Sequence, residues 1–256
     1  QNHIFEIGWQ DVERYWECAA IKTLLNEDTL VRANLIHSVA SASAIWLDWD
    51  NRNCRITQNV IYDVQDAANG AVFIEASRVP NWIDHNVIWN TWRYAVNLFD
   101  TDRAVVSHNL IAHGNIPVMS RVNTDRSLSG SQLTSEDNVA RNNLFYHNAS
   151  LPIFDSAENV CDGNVYTVAE GAVELTGRVN PDWDRDSEVR DLTAALDPQT
   201  WTLTLRLHRP LPYVSALDNS GMGFFGANVD EDEARPGPFS GLFRGRVVFR
   251  LRPDCL

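Results

Sequence analysis

A short motif recurs along residues 20 to 168, and it restricts the fold more than any other feature of the chain. It is an asparagine followed by two apolar residues and preceded, three positions earlier, by another apolar residue. Its asparagines are Asn34, Asn59, Asn86, Asn109, Asn143 and Asn164, at spacings of 25, 27, 23, 34 and 21 residues. A period in the twenties, built from short β-branched runs without helical periodicity, is typical of a solenoid.

The strand composition indicates which solenoid this is. A leucine-rich repeat has a similar period, but its L-x-x-L-x-L framework is missing. β-Branched strands with asparagine at the bend favour an all-β, right-handed parallel β-helix of about six turns. Asparagine tolerates the left-handed backbone conformation, and its amides can stack from turn to turn. We therefore assign the asparagine column a structural role and expect two strands in each turn, one before the asparagine and one across it.

The repeat divides the chain into three parts. We expect residues 1–19 to form a partial first turn or cap and residues 20–179 to form the β-helix. Residues 180–256 contain alternating runs at 201–207 and 245–251, separated by Pro and Gly turns, and predict a β-rich C-terminal tail packed on the β-helix. A solenoid leaves an open apolar end, which we expect this tail to cover as a cap.

One turn is longer than the others. The spacing of 34 residues contains a polar stretch, 120–137, that predicts a loop of about ten extra residues. Such an insertion either walls a binding cleft or is a disordered excursion.

Composition restricts the partners. The net charge is -13, and the 21 basic residues are scattered, with Lys22 the one lysine, so we expect no nucleic-acid partner. The sequence contains no run of about 18 apolar residues, so we expect no membrane-spanning segment. The four cysteines lack C-x-x-C spacing, and we expect no metal and no cofactor. A neutral sugar or another uncharged ligand fits the acidic net charge better than nucleic acid does. A protein that acts on such a carbohydrate is expected to be extracellular or periplasmic.

Two carboxylates occupy the same place in consecutive turns. Asp48 and Glu75 each stand eleven residues ahead of a repeat asparagine. Side chains alternate along a strand, so both should lie on the outer face, about 5 Å apart on neighbouring rungs. Retaining glycosidases use a pair at about this separation. We predict Asp48 as nucleophile and Glu75 as acid/base. The same alternation places on the core side Ile45, Leu47 and Trp49 in the first strand and Val72, Ile74 and Ala76 in the second.

Neighbouring residues extend this candidate site. Trp46 and Phe73 share the outer column and are predicted to stack on a sugar ring. Asp50 and Ser77 continue the same face and are predicted to donate or accept hydrogen bonds from the substrate. The competing interpretation is an ordinary solvated face on which these residues have no catalytic role.

Charged residues near the ends of the strands are further candidates. Arg78, Asp100 and Arg103 follow the strands of the catalytic turn and the next one. They could contact sugar hydroxyls, or they could be solvated turn charges. Arg121 and Arg126 flank the insertion and could reach an acidic sugar.

The segment Ile45-Trp46-Leu47-Asp48-Trp49, then Phe73-Ile74-Glu75 and the Asp-His-Asn-Val-Ile run at 84–88, resembles the right-handed β-helix glycoside hydrolases. The similarity is strongest to the family 120 β-xylosidases and looser to family 141, which includes fucosidases and xylanases. The resemblance implies an aspartate nucleophile and a glutamate acid/base at Asp48 and Glu75.

This sequence departs from that family after the glutamate. Ala76-Ser77-Arg78 stands where family 120 carries Val-Asn-His-Gly, so the resemblance does not extend to sugar specificity. Those families have more turns before the catalytic ones. We therefore expect additional N-terminal turns or a partner chain outside this sequence, which begins at Gln1 and is expected to be a processed product or a piece of a longer protein.

The sequence thus predicts a retaining glycoside hydrolase acting on a plant-type polysaccharide or oligosaccharide, with a xylose-containing substrate first. Two alternatives stay open. One is a polysaccharide lyase on the same fold, which would need a strong base and a neutralised uronate. The other is a non-catalytic, glycan-binding or structural β-helix.

Overall fold

The computed structural model describes residues 1–9, 17–123, 125–167, 184, 186–214, 223–226, 234–239 and 245–251. Regular structure within these ranges is β-strand, and a unit of three strands repeats along the chain. The first three coils consist of β1 (His3–Ile7), β2 (Ala19–Leu24), β3 (Leu30–Arg32), β4 (Leu35–Ala40), β5 (Ser43–Asp48), β6 (Arg55–Thr57), β7 (Val60–Gln65), β8 (Val72–Glu75) and β9 (Trp82–Asp84).

The later coils repeat this unit, with one hairpin inserted. They consist of β10 (Val87–Thr91), β11 (Tyr94–Phe99), β12 (Val105–Ser107), β13 (Leu110–Ala112), β14 (Ile116–Arg121), the hairpin β15 (Ser127–Leu128) and β16 (Ser131–Gln132), β17 (Val139–Arg141), β18 (Leu144–Tyr146), β19 (Ile153–Phe154) and β20 (Val160–Asp162). The chain continues with β21 (Val165–Thr167), β22 (Glu188–Val189), β23 (Leu192–Asp197), β24 (Thr202–Leu207) and β25 (Gly245–Arg250).

Corresponding strands of successive coils pair in parallel to form three sheets. Sheet A contains β1, β4, β7, β10, β13, β18, β21 and β22; sheet B contains β2, β5, β8, β11, β14 and β19; sheet C contains β3, β6, β9, β12, β17 and β20. Stacked coils with one strand in each sheet are a parallel β-helix, and the two 6-stranded sheets correspond to six coils. The predicted fold is confirmed, and the insertion lies on the fifth coil, where the longer spacing predicted it.

The core runs along the axis of the coils as columns of aligned apolar side chains. In sheet A, Ile36, Ile61, Ile88 and Ile111 occupy aligned positions and are fully buried. Each such side chain contributes about 1.5–3 kcal/mol by leaving water. Because every coil presents the same column to the next, the repeat stabilises itself along its whole length.

The expectation of two strands per turn is wrong, because each run across an asparagine is divided into two strands. The residue before the asparagine has a positive φ, as at Ala33 (55°), Gln58 (59°) and His85 (52°). This left-handed residue bends the chain out of sheet C and into sheet A. The left-handed position is thus the neighbour of the asparagine, which itself serves as the hydrogen-bonding residue.

The asparagine side chains form a continuous amide ladder, as predicted. The Nδ2 of Asn59 donates to the Oδ1 of Asn86 at 3.0 Å, and the Nδ2 of Asn86 donates to the Oδ1 of Asn109 at 3.0 Å. Each Oδ1 also accepts the backbone N–H of the preceding ladder residue. The backbone nitrogen of Asn59 lies 3.0 Å from the Oδ1 of Asn86, and that of Asn86 lies 2.9 Å from the Oδ1 of Asn109. The ladder therefore satisfies buried polar groups at a bend where the sheet hydrogen bonds are interrupted.

The three longest strands of the tail pack on the side of the β-helix. Strands β23, β24 and β25 form an antiparallel sheet. Its apolar residues contact the outward side chains of sheet A in one cluster, and the ring of Trp201 lies 5.0 Å from that of His37. The expectation that the tail covers the open end is wrong for β23, β24 and β25, which lie on the outer face of sheet A. Sheet A needs the cover because its strands begin with outward apolar residues: Leu35, Val60, Val87, Leu110, Leu144 and Val165. At the end of the coils, β22 pairs with β21 and Asp184 accepts a hydrogen bond from Tyr166.

Two further observations concern the described residues as a whole. Cys54 and Cys161 are buried as free thiols on different coils. In the part of the chain that the structure describes, no helix has the length and apolar character needed to span a bilayer.

Candidate active site

Asp48 and Glu75 lie next to each other at the ends of two paired strands. Strands β5 and β8 are parallel, and the last register pair before the carboxylates is Leu47 with Ile74. Leu47 and Ile74 are core residues, so the following side chains, Asp48 and Glu75, lie on the outer face of sheet B. Their side chains are 21% and 15% exposed. The neighbouring-rung placement expected from the spacing is thus present, with both groups reachable from solvent.

Asp48 is held by a cation from the preceding coil. The Nζ of Lys22, on β2, lies 3.1 Å from the Oδ2 of Asp48 and 2.9 Å from the Oε2 of Glu17. It also lies 3.5 Å from the ring centroid of Trp46. Burial lowers the pKa of Lys22, but its hydrogen bonds and charge attraction with Glu17 and Asp48 give a net upward shift. Lys22 therefore stays charged and orients one oxygen of Asp48.

Glu75 is held by an arginine from the inserted segment. The guanidinium of Arg126 lies 2.7 Å from the Oε1 of Glu75, and its Nε lies 3.1 Å from the Oδ2 of Asp100. The same guanidinium lies over the rings of Trp49 and Phe99, at 4.7 and 4.9 Å from their centroids. The insertion thus forms one wall of the site and brings a cation to one of the two carboxylates.

The pKa of Glu75 is raised above its ordinary value. Burial is the largest cause. The charge of Arg126 and its hydrogen bond lower the pKa, and the neighbouring charge of Asp48 raises it. The indole N–H of Trp46 approaches Glu75 and lowers its pKa slightly, without the alignment of a hydrogen bond. The net upward shift favours a proton on Glu75, while Asp48 is paired with an ammonium.

Trp49 does not lie in the core, and its predicted orientation is wrong. Strand β5 ends at Asp48, and Trp49 and Asp50 follow with φ values of 33° and 51°. The alternation of side chains stops where the backbone leaves the β region. The Trp49 ring therefore lies on the outer side, under Arg126.

Trp46 and Phe73 occupy the predicted outer column but are not available for stacking on a sugar. They are 4% and 1% exposed, and their ring centroids lie 5.1 Å apart. Lys22 covers the ring of Trp46. Their predicted contact with a sugar is wrong in this structure, because the two rings pack against each other and form the floor on which Asp48 and Glu75 are mounted.

The outward orientation predicted for Ser77 is also wrong. Ala76 has a φ of 51°, so the chain turns directly after Glu75. Ser77 is fully buried and donates its hydroxyl to the backbone oxygen of Glu75 at 3.3 Å. Asp50 is engaged by Arg52, whose Nε and terminal nitrogen lie 3.1 and 2.7 Å from its two carboxylate oxygens.

The three charged candidates at the strand ends have protein partners. Arg78 lies 3.6 Å from Asp102, and Arg103 lies 3.8 Å from Asp137. Asp100 is fully buried, where it accepts the backbone N–H of Asn123 and faces Arg126. Burial raises the pKa of Asp100. Asp100 thus reaches the site through Arg126, whereas Arg78 and Arg103 are engaged by carboxylates of the turns.

Sequence reasoning assigned no site role to Lys22, and it connected Arg126 with an acidic sugar rather than with Glu75. The signal for Lys22 was available, because the one lysine of the sequence stands one rung before Trp46. Arg126 had no such signal, since it belongs to an insertion that lacks the repeat. Among the described residues, no group of three or more His, Cys, Asp or Glu side chains is placed to hold a metal ion.

Comparisons with known proteins support the architecture. A family profile described as "Right handed beta helix region" matches residues 13–111. A solved structure described as "The complex structure of XylC with xylose" superposes with a TM-score of 0.70 at 19% sequence identity, covering 98% of this chain and 47% of the other. This chain therefore spans about half the length of that protein. A search of curated proteins finds no match. The fold is a right-handed parallel β-helix.

Proposed function

We propose that this chain is a retaining glycoside hydrolase acting on a plant-type polysaccharide or oligosaccharide outside the cytoplasm, with a xylose-containing glycoside as the first substrate to test. The observation that carries the proposal is the pair of carboxylates on adjacent rungs, one paired with Lys22 and the other with a raised pKa. The resemblance to the family 120 β-xylosidases and the fold shared with a protein solved with xylose support the choice of sugar.

The two groups have complementary roles in this mechanism. The carboxylate of Asp48 attacks the anomeric carbon while the bond to the leaving oxygen breaks, and Glu75 gives its proton to that oxygen. A glycosyl ester with Asp48 results. Glu75, now ionised, takes a proton from water as the water oxygen attacks the anomeric carbon and releases Asp48.

Lys22 and Arg126 each contact one oxygen of their carboxylate partner, so the second oxygen of each carboxylate can react. Lys22 contacts the Oδ2 of Asp48, so Oδ1 is the oxygen available for attack. Arg126 contacts the Oε1 of Glu75, so a proton on Oε2 faces the substrate while Oε1 accepts from the guanidinium. Pre-set hydrogen bonds of this kind hold reacting groups in place at little cost during the reaction.

Product stereochemistry tests the proposal directly. A panel of nitrophenyl α- and β-glycosides, xylosides included, is incubated with the protein, and the first-formed sugar is followed by proton NMR. We expect release of nitrophenol from a xyloside and a product with the anomeric configuration of the substrate. A product of inverted anomeric configuration would contradict the proposed two-step mechanism. Absence of hydrolysis across the panel would contradict the proposed glycosidase activity.

The pH profile of an Arg126→Gln variant tests the assigned acid. Arg126 lowers the pKa of Glu75 by its charge and its hydrogen bond, so its removal should raise that pKa. Protonated Glu75 is the active form, and the alkaline limb of kcat/KM for a xylo-oligosaccharide should move to higher pH. The matched control is Arg206→Gln, an exposed arginine of β24, which should leave the limb in place. If the alkaline limb of Arg126→Gln stays at the same pH or moves to lower pH, Glu75 is not the catalytic acid.

A further inference from the structure

The outer edge of sheet B continues beyond the two carboxylates to an arginine. Strand β11 places Phe99 beside Glu75, and β14 places Arg121 beside Phe99. The order along the column is therefore Asp48, Glu75, Phe99 and Arg121, one residue on each rung. With about 4.8 Å between rungs, Arg121 stands about 10 Å from Glu75 along the column. This distance corresponds to a substituent or neighbouring sugar of a bound oligosaccharide.

Arg121 is partly buried without a carboxylate partner. Its guanidinium lies 4.1 Å above the centroid of Phe99 and 5.8 Å from that of Tyr94, and its Nε donates to the Oδ1 of Asn97 at 3.4 Å. No carboxylate of the described residues lies within ion-pair distance of it, whereas Arg126 contacts two. Burial lowers the pKa of Arg121. Four of its five N–H donors thus have no acceptor in the described part of the chain.

Two further arginines lie around Arg121 and its ring neighbours, and the two nearby carboxylates, Glu75 and Asp100, are both paired with one of them, Arg126. Arg93 lies over the same Tyr94 ring at 4.8 Å, and Arg126 shares the Phe99 ring with Arg121. The net charge of -13 disfavours a polyanion such as a polyuronate, which would be repelled over its length. A single carboxylate on an otherwise neutral saccharide avoids that repulsion and can place its charge beside Arg121.

We propose that Arg121 binds the carboxylate of a uronic acid carried by the substrate, so that the preferred substrate is a neutral oligosaccharide with a single uronate substituent. This proposal rests on the function proposed above and names its substrate class. The planar guanidinium matches a carboxylate with two parallel N–H···O bonds. Phe99 supports the guanidinium from below and keeps it directed along the column.

Binding measured without turnover tests the site. The protein carrying Glu75→Gln is titrated by calorimetry with xylotriose and with xylotriose bearing one glucuronosyl branch. We expect the acidic ligand to bind about ten- to a hundredfold more tightly, the range of hydrogen bonds to a charged group. Adding Arg121→Gln should abolish this preference while affinity for xylotriose stays the same, and Arg121→Lys should keep part of it.

Controls separate this site from the glycosidase. Arg206→Gln in the same background should leave both affinities unchanged, and thermal unfolding followed by circular dichroism shows that each variant is folded. Equal affinity for both ligands, a preference that survives Arg121→Gln, or absence of binding by both ligands would overturn the proposal. If the unsubstituted protein hydrolyses no glycoside but the acidic ligand still binds more tightly through Arg121, the proposed hydrolase activity is contradicted and the carboxylate-binding site is supported.

Discussion

Glu75→Gln should lower kcat/KM for an unactivated xylo-oligosaccharide by about 10²–10⁴-fold, the range that general acid catalysis supplies. The glutamine keeps the shape of the side chain and a hydrogen-bond acceptor for Arg126, but it has no proton to give to the leaving oxygen. Asp48→Asn should reduce turnover to background, because the amide is too weak a nucleophile to form the glycosyl ester. Both values are measured from initial rates of reducing-sugar release.

Azide distinguishes the two roles. In Glu75→Gln the ester on Asp48 still forms from a nitrophenyl glycoside, and azide, which needs no base, attacks it to give a glycosyl azide of retained configuration. In Asp48→Asn azide attacks the substrate directly from the vacated face and gives the inverted azide. The products are distinguished by NMR. Asp137→Asn, an exposed carboxylate paired with Arg103, is the control and should keep full activity. Rescue with the opposite configurations would exchange the assigned roles.

The repeat in the sequence was sufficient to align the two carboxylates. Asp48 and Glu75 stand at equal distances from Asn59 and Asn86, and those asparagines are fixed in register by their side-chain amides. Equal offsets from the ladder place two residues on adjacent rungs when the two turns have equal length between strand and asparagine, as at Asp48 and Glu75. On the next turn the offset changes by one, and the partner of Glu75 is Phe99, ten residues ahead of Asn109. The equal offsets of Asp48 and Glu75 are why the coil number and the outer placement of the pair followed from spacing alone.

The departures from prediction arise where the backbone leaves the β region. Alternation predicted Trp49 in the core and Ser77 outside, but positive φ values at Trp49, Asp50 and Ala76 end the alternation after each carboxylate. These residues are not glycines, so their left-handed conformation leaves little trace in the sequence. It is imposed by the need of each coil to turn at the same place as its neighbours.

Contacts made by segments outside the repeat could not be predicted from the sequence either. Arg126 reaches Glu75 from a hairpin on the fifth coil, and the antiparallel strands β23, β24 and β25 of the tail cover the outer face of sheet A. Neither segment carries the repeat, so no periodicity relates its residues to the site. Their positions follow from which surfaces stay apolar or charged once the coils have stacked.

Asn109→Ala should destabilise the protein by about 4 kcal/mol or more, which is at the upper end for a single substitution. The Oδ1 of Asn109 accepts two hydrogen bonds from Asn86, one from its backbone N–H at 2.9 Å and one from its side-chain Nδ2 at 3.0 Å. The Nδ2 of Asn109 reaches the oxygens of Ile83, Ser107 and Asn143 at 2.8, 3.0 and 3.0 Å. All of these groups are buried, and each one left without a partner costs about 1–3 kcal/mol.

Urea unfolding followed by circular dichroism measures this effect. Asn115→Ala is the matched control, because Asn115 is exposed on the same coil, and it should cost less than about 1 kcal/mol. Asn109→Asp retains the acceptor but removes the donor and buries a charge, so it should be no more stable than Asn109→Ala. A loss in Asn109→Ala similar to that in Asn115→Ala would mean that water replaces the amide at the bend.

The ladder should also determine whether the coils unfold together. In a solenoid each coil contacts only its neighbours, so cooperativity depends on the interfaces between coils. Asn109 links the fourth coil to the fifth through Asn86 and Asn143. Weakening this interface should allow one half to unfold before the other, which would appear as a lower m-value or a second transition in Asn109→Ala. An unchanged m-value together with the full loss of stability would show that the sheets alone couple the coils, and that the ladder contributes energy without cooperativity.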